Sequence, residues 1–316
     1  MKPAVYRTIL ALFVVIPTTA VGQSKSRYGG DPLLVGAGAR SLGMGSAFVA
    51  ISDDATAIYW NPAGLAALGR NELQIQHAEQ FGGSVNHDVF TLASPFPIGG
   101  FGIGLIRLGV AGIKLTSLEN PGSPAGPDNR PVVTSEKSTT DYSLYLSYGR
   151  SVRSDLRVGV SFKLIWRNLA IGDGSGYGVD VGALYSPRPG LTVGLAIRDL
   201  TRTRISFDSG SSENIPPSAW LGIAYARPLP RVKGEITLSS SLHLGEQKSS
   251  VDKRQGFRIG AEYIYQSVLA FRLGAEGKHF TAGTGVKIMD RFSLDLALLE
   301  NGQLDNTYKV SASLYF

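Results

Sequence analysis

The 316-residue sequence contains no cysteine. That excludes a disulfide framework, a thiol nucleophile and a lipid anchor on an N-terminal cysteine. Charge is scarce as well, at 18% of residues, and the mean hydropathy of +0.04 is too low for a stack of transmembrane helices. The apolar run Ile9 to Ile16 is far shorter than the roughly 20 residues that a membrane-spanning helix needs. The four histidines, His77, His87, His243 and His279, lack metal-ligand spacing. His77 and His87 can face each other near one hairpin, but two ligands make a weak site. No G-x-S-x-G or H-E-x-x-H motif is present. No cofactor, metal or enzymatic activity is expected.

What is present begins with an address. Lys2 and Arg7 precede the apolar run, and Pro17 and small residues follow it. This is the pattern of a secretory signal, with cleavage near Ala20 or Gly22. Residues 1–22 are therefore assigned as a signal peptide. The formal charge of +6 falls by two when Lys2 and Arg7 are removed. What is left is too mild, and too little interleaved with aromatics, for a nucleic-acid partner.

From Asn71 onward the dominant pattern is a two-residue alternation. Val158, Val160, Phe162, Leu164 and Trp166 oppose Arg157, Gly159, Ser161, Lys163 and Arg167. Fourteen such segments fall at 71–79, 86–95, 99–110, 138–150, 156–169, 176–186, 191–200, 217–227, 232–245, 255–266, 268–277, 280–289, 292–300 and 306–316. Most run about 9–14 residues, close to the length of a tilted strand crossing a bilayer and longer than strands of soluble sheets. Connections after even-numbered segments are short, whereas those after odd-numbered ones are often long, notably Ala111 to Lys137 and Thr201 to Pro217. Outer-membrane barrels show this asymmetry. The alternation of Tyr308, Val310, Ala312, Leu314 and Phe316 continues to a terminal Phe, which reads as a signal to barrel-assembly machinery. The expected fold is all-β: a transmembrane antiparallel β-barrel of about fourteen strands, residues 71–316, in contact with outer-membrane lipid. Tyr142, Tyr148, Tyr185, Tyr263, Tyr265 and Trp166 lie near strand ends, where an aromatic girdle would fall.

A lumen this wide is not filled by side chains alone. Its walls carry both charges and many glycines, such as Gly100, Gly102 and Gly104, which admit a close neighbour. Residues 23–70 are the expected filler, a short helical hatch. In "NPAGLAAL", Asn61 can cap a helix that Pro62 opens and Gly69 ends. Ser52, Asp53 and Asp54 can cap an earlier turn, and the acid pair could alternatively hold a cation or act as a catalytic pair. "GAGARSLGMG" lacks nucleotide-loop spacing, and "GDGSGYG" reads as a hairpin tip rather than half a calcium loop.

The stretch "GARSLGMGSAFVAISDDATAIYWNPAGLAAL" resembles the N-terminal signature of the PorV/PorQ family, within the FadL-like outer-membrane proteins. The residues that carry the likeness are Gly38-Ala39-Arg40, Gly43-Met44-Gly45, Asp53-Asp54-Ala55 and Asn61-Pro62-Ala63-Gly64-Leu65. The resemblance implies a fourteen-stranded barrel with a hatch in its lumen, in the outer membrane of a Gram-negative-type bacterium. It implies a docking platform for protein secretion of type IX kind, with secretion-system proteins or secreted cargo as partners. The alternative is a FadL-like transporter of hydrophobic small molecules that leave sideways through the wall.

Overall fold

The computed structural model describes residues 35–169, 172–244, 256–302 and 305–316. The expected signal peptide, the first part of the hatch and the loop 246–254 lie outside the described residues. The strands are β1 (Glu72–Gln80), β2 (Val85–Phe96), β3 (Gly99–Leu118), β4 (Pro131–Arg153), β5 (Leu156–Leu169), β6 (Gly172–Arg188), β7 (Leu191–Arg198) and β8 (Thr203–Phe207). They continue with β9 (Ser212–Ile215), β10 (Ser218–Leu229), β11 (Gly234–Leu244), β12 (Phe257–Tyr265), β13 (Leu269–Glu276), β14 (His279–Ile288), β15 (Phe292–Leu299) and β16 (Thr307–Tyr315).

Fourteen of these strands, all but β8 and β9, form a closed antiparallel barrel. Glu72 opposes Tyr315 where β1 meets β16, so the last strand closes on the first. Closure satisfies every edge, which a sheet in hydrocarbon requires. Each fourteen-strand element lies on one of the segments that show the alternation. Thr237, Ser239 and Ser241 of β11 are buried in the lumen, while Leu238 and Leu242 are exposed on the outer face. Ile75, Phe90, Leu146, Phe162, Ile223, Ile259, Phe271, Leu296 and Val310 extend that outer apolar surface around the barrel. It is a lipid-facing belt, far larger than the apolar patches of soluble monomers.

Wall and hatch depart from the sequence expectations in four places. The long loop expected over Ala111 to Lys137 is mostly strand: β3 runs to Leu118 and β4 starts at Pro131, leaving 119–130 as the loop. Two register shifts, between Val110 and Ile113 and between Leu115 and Thr116, break the alternation that would have revealed the extension. Residues 201–217 hold the hairpin β8–β9, whose first strand pairs with the upper part of β6. Here the wall is interrupted: β8 takes over from β7 the pairing with β6, Asp199 and Arg202 take left-handed backbone between them, and Ile205, Phe207 and Ile215 pack against the core that holds Trp60. His77 and His87 do not face each other: Ala78 opposes His87 and His77 opposes Asp88. His77 therefore points outward to Asp88, 2.7 Å away, and His87 inward beside Gln76. Last, "NPAGLAAL" forms a 3₁₀ helix, Pro62–Ala67, and Leu68 ends it in extended backbone without a left-handed Gly69.

The girdle residues separate into two rims. Tyr148 and Tyr263 donate hydroxyl hydrogen bonds to Ile98 and Val232 at the short-turn rim, where Tyr185 and Tyr265 are also exposed. Tyr142 and Trp166 oppose each other on β4 and β5, nearer the other rim. At the end of the chain, Phe316 and Asn71 exchange backbone hydrogen bonds of 3.1 Å. Tyr308, Val310 and Phe316 are exposed on the outer face, with Leu314 half-buried between the last two.

Candidate functional site: the hatch and its seat

The hatch contains α1 (Ala39–Gly43), α2 (Ala57–Trp60) and the 3₁₀ helix. Its side chains make the main apolar core of the molecule. Phe48, Ile58, Trp60 and Leu65 are buried and pack with Val89, Ile106, Tyr145 and Ile165 from the wall. Trp60 stacks edge-on with Tyr59 at 5.0 Å, and its indole N–H donates to Ala37 O at 2.7 Å. Burying the indole thus leaves no polar group unsatisfied.

The wall makes room with glycine. Gly100, Gly149, Gly159 and Gly182 stand in direct register across β3, β4, β5 and β6. A Cβ at Gly149 would come within 2.5 Å of Pro62 O, and one at Gly159 or Gly182 would overlap Pro62 or the Asn61 side chain. The belt continues with the opposed pairs Gly194–Gly222 and Gly260–Gly274, which lie against Val49, Ala50 and Met44. Gly102 and Gly104 leave space for Ile58. The hatch backbone therefore rests on the barrel backbone, which any side chain at these positions would prevent.

Hatch polar groups find partners on the wall, as buried backbone requires. Gln76 Oε1 accepts from Gly38 N–H at 2.6 Å, Ser311 Oγ from Ala39 N–H at 2.8 Å and Thr281 Oγ1 from Gly45 N–H at 2.9 Å. Ser161 and Ser239 donate to Ile58 O and Ala47 O. Lys309 donates to Gly36 O at 3.0 Å.

Asn61 is fully buried at the centre of this contact. Its Oδ1 accepts from Ala63 N–H at 3.2 Å, which is the N-cap of the 3₁₀ helix. Its amide donates to Val49 O at 2.9 Å and across to the wall at Ala183 O, 3.1 Å away. One side chain thus caps a helix, ties two hatch segments together and fastens both to β6. Pro62, Ala63 and Gly64 are buried beside it, and a Cβ at Gly64 would overlap the Ser52 carbonyl.

Asp53 and Asp54 diverge. Asp53 pairs with Arg40 at 2.6 Å and is half exposed. Asp54 turns inward and accepts from Thr56 N–H at 2.9 Å, one residue before α2. Ser52 instead donates to Phe48 O. Burial pushes the Asp54 carboxyl above the ordinary aspartate range, against the pull of Arg40. Burial also works against the charge of Arg40, but Asp53, Glu262 and Asp54 outweigh it and raise its pKa well above the usual value. Arg40 reaches Glu262 on β12 at 2.8 Å, and Glu262 and Asp295 are joined by Arg272 at 2.6 and 2.7 Å. A chain of alternating charges therefore runs from the hatch into β12, β13 and β15. Among the described residues, no group of three His, Cys, Asp or Glu is placed to hold a metal ion.

The sequence places Arg40 in the hatch motif and Glu262 on the polar face of its strand but gives no sign that they pair, 222 positions apart, nor that the Asn61 amide donates to backbone carbonyls. The full glycine belt had a legible signal: a glycine recurs on the polar face of strand after strand, near the short-turn end. Two open depressions, of about 330 and 200 Å³, lie at that same end. The larger is floored by Leu65, Ala66 and Leu68 of the hatch, the smaller by Arg40, Asp53 and Asp54.

Solved structures share this architecture. The toluene transporter TodX of Pseudomonas putida matches with a TM-score of 0.59 and 15% identity, over 89% of this chain and 98% of that one. The toluene transporter TbuX of Ralstonia pickettii gives 0.58 and 16%, with the same coverage of 89% and 98%. A FadL homologue of Pseudomonas aeruginosa gives 0.52 and 12%, over 86% of this chain and 97% of that chain. At such identities the likeness is one of fold. No curated protein matches in sequence. A family model described as an uncharacterised protein family, UPF0164, matches residues 14–161, a span that holds the hatch motif and the first strands.

Proposed function

We propose that the chain is a plugged barrel of the outer membrane that serves as a protein-docking platform, in the manner of PorV-like members of secretion systems. The carrying observation is the hatch: it fills the lumen with a packed core and lies backbone to backbone on the glycine belt. A wall built for close hatch contact suits a permanent plug better than a wide conduit. The surface left for a partner is the long-loop rim, where β3 and β4 rise as a tall hairpin and β8–β9 forms a second one. The test is to replace residues 119–130, with the upper hairpin, by a tight turn in the native host. Loss of exported cargo or of the partner complex, with insertion and closed conductance intact, is the expected result. Unchanged export would refute the platform.

A second reading is supported by the interruption of the wall between β7 and β8. Lys163 pairs with Asp180 at 2.9 Å and with Asp199 at 2.7 Å, and Thr203 donates to Asp199. The irregularity is pinned by a buried polar cluster, and the structural neighbours named for toluene transport share the barrel fold. On this reading the interruption is a sideways exit for hydrophobic compounds. Lys163→Met would then alter uptake of such compounds and leave partner capture intact.

A further inference from the structure

The short-turn rim of the barrel is basic. The short-turn segments 150–157, 186–190, 227–235, 266–268 and 289–291 hold eight basic residues against three acidic ones. The described residues of the opposite rim, 119–130, 199–217, 277–278, 300–302 and 305–306, hold four basic against seven acidic. Two of the three short-turn acids already have partners: Asp155 with Arg153 and Asp290 with Lys287. Arg150, Arg188, Arg227, Arg231, Lys233 and Arg291 are exposed and make no ion pair among the described residues.

Their placement repeats. Arg150 follows Tyr148 by two residues on β4, and Arg227 follows Tyr225 by two on β10. Each Arg therefore leaves the same outer face as its tyrosine, about 7 Å further along the strand. Arg188 follows the exposed Tyr185 on β6. Tyrosine at the edge of an apolar belt sits at the membrane interface. One step beyond it is the depth of the lipid phosphate groups, and a long arginine reaches them by snorkelling.

We propose that this basic rim binds the phosphate groups of anionic phospholipids in the leaflet that the short turns face. The partner is a lipid because Arg150, Arg188 and Arg227 stand on the ends of wall strands beyond the exposed tyrosines, and Arg231, Lys233 and Arg291 lie in the tight turns at the same level. Guanidinium side chains suit phosphate, since their fixed donor fork matches its oxygens. With no carboxylate partner among the described residues, they are available. This rests on the barrel spanning a membrane and is independent of what docks on the other rim.

The test uses the purified barrel in mixed micelles holding equal amounts of phosphatidylglycerol and phosphatidylcholine, with retained lipids counted by native mass spectrometry. The wild type should retain phosphatidylglycerol in preference, since each basic group that meets an anionic surface contributes about fivefold. The variant Arg150→Gln, Arg188→Gln, Arg227→Gln, Arg231→Gln and Lys233→Gln should lose at least about tenfold of that preference. The matched variant with lysine at the four arginine positions should keep most of it, and raised salt should erode it in the wild type. Should the glutamine variant fail to fold, the lysine variant and the salt series still decide. A wild type that inserts into vesicles but shows no anionic preference overturns the proposal alone. So does a glutamine variant with the wild-type preference, which would leave the rim to an acidic protein. Failure of the wild type to insert at all would instead overturn the membrane reading.

Discussion

Asn61 offers the sharpest test of how the hatch is held, because its two ends do different things. As an N-cap it accepts from Ala63, which contributes about 0.5–2 kcal/mol. As a donor it serves Val49 O within the hatch and Ala183 O on the wall. Each such bond contributes about 1 kcal/mol net, and a buried group left without its partner costs more. Asn61→Ala removes all three, so the seated hatch should lose about 3 kcal/mol. That raises the ratio of unseated to seated hatch on the order of a hundredfold. Asn61→Asp separates the two roles. Aspartate caps as well as asparagine does, but its carboxylate would face two carbonyl oxygens that it cannot serve. If the donors dominate, Asn61→Asp is at least as disruptive as Asn61→Ala; if the cap dominates, it is harmless.

The assay is single-channel conductance in planar bilayers, with the gel shift between boiled and unboiled samples as the check that the wall is intact. Openings should be rare in the wild type, more frequent in Asn61→Ala and at least as frequent in Asn61→Asp. The shift should persist in all three, because the wall is closed by its own ladder. Wild-type conductance for Asn61→Asp would refute the argument that the amide staples hatch to wall.

Gly149→Val should drive Pro62 off the belt and open the lumen, while Gly69→Ala, which meets no atom within 4 Å, should be silent in the same bilayers. Glu262→Gln strips Arg40 and Arg272 of their shared carboxylate; breaking a buried pair costs about 3–5 kcal/mol, so denaturant should release the hatch markedly earlier, as read by Trp60 fluorescence. For Asp54 the sign follows from its raised pKa: the protonated form favours the seated hatch, so this residue's support is lost as pH rises from the ordinary carboxylate range through the raised value. Asp54→Asn should flatten that part of the pH profile of hatch release, and an unaltered profile would count against it. Deleting Phe316, whose exposed ring adds little burial, should lower the yield of assembled barrel in cells without preventing folding in detergent.

The wall was legible because each strand carries its own two-residue pattern, which needs no knowledge of its neighbours. Val158 to Trp166 reads as one outer face whether or not β4 is known. Legibility ended where the pattern broke. Gly112, with left-handed backbone, and two register shifts hide the upper parts of β3 and β4. The hairpin β8–β9 has strands of only five and four residues, too short to show a period. In the hatch, the cap at Asn61 is local and could be read from the adjoining Pro62. The contacts of Arg40 with Glu262 and of Asn61 with Ala183 span more than a hundred positions, and nothing near either residue announces them.

Hatch and wall are best understood as one core cut along a glycine surface. Glycine inside a strand forfeits about 0.5–1 kcal/mol relative to alanine, and here four stand side by side at one level of the sheet. A wall with that composition is weakened where it has most need of strength, near the turns that set its registers. The loss is offset only if the hatch occupies the space, since its backbone then supplies the contacts that absent side chains would have made. It follows that the two parts stabilise each other unequally. The described part of the hatch, with three short helical pieces and backbone donors satisfied by wall side chains, leans on the wall for its shape. The wall keeps its ladder without the hatch but loses its packing at the short-turn end. Removing residues 35–66 should therefore leave a barrel that still resists SDS in the cold but melts at a lower temperature than the intact protein. Hydrogen exchange should quicken first at the backbone amides beside Gly149, Gly159 and Gly182. Uniform exchange along those strands would show that the belt carries no such burden, and that the glycines are there for the passage of something other than the hatch.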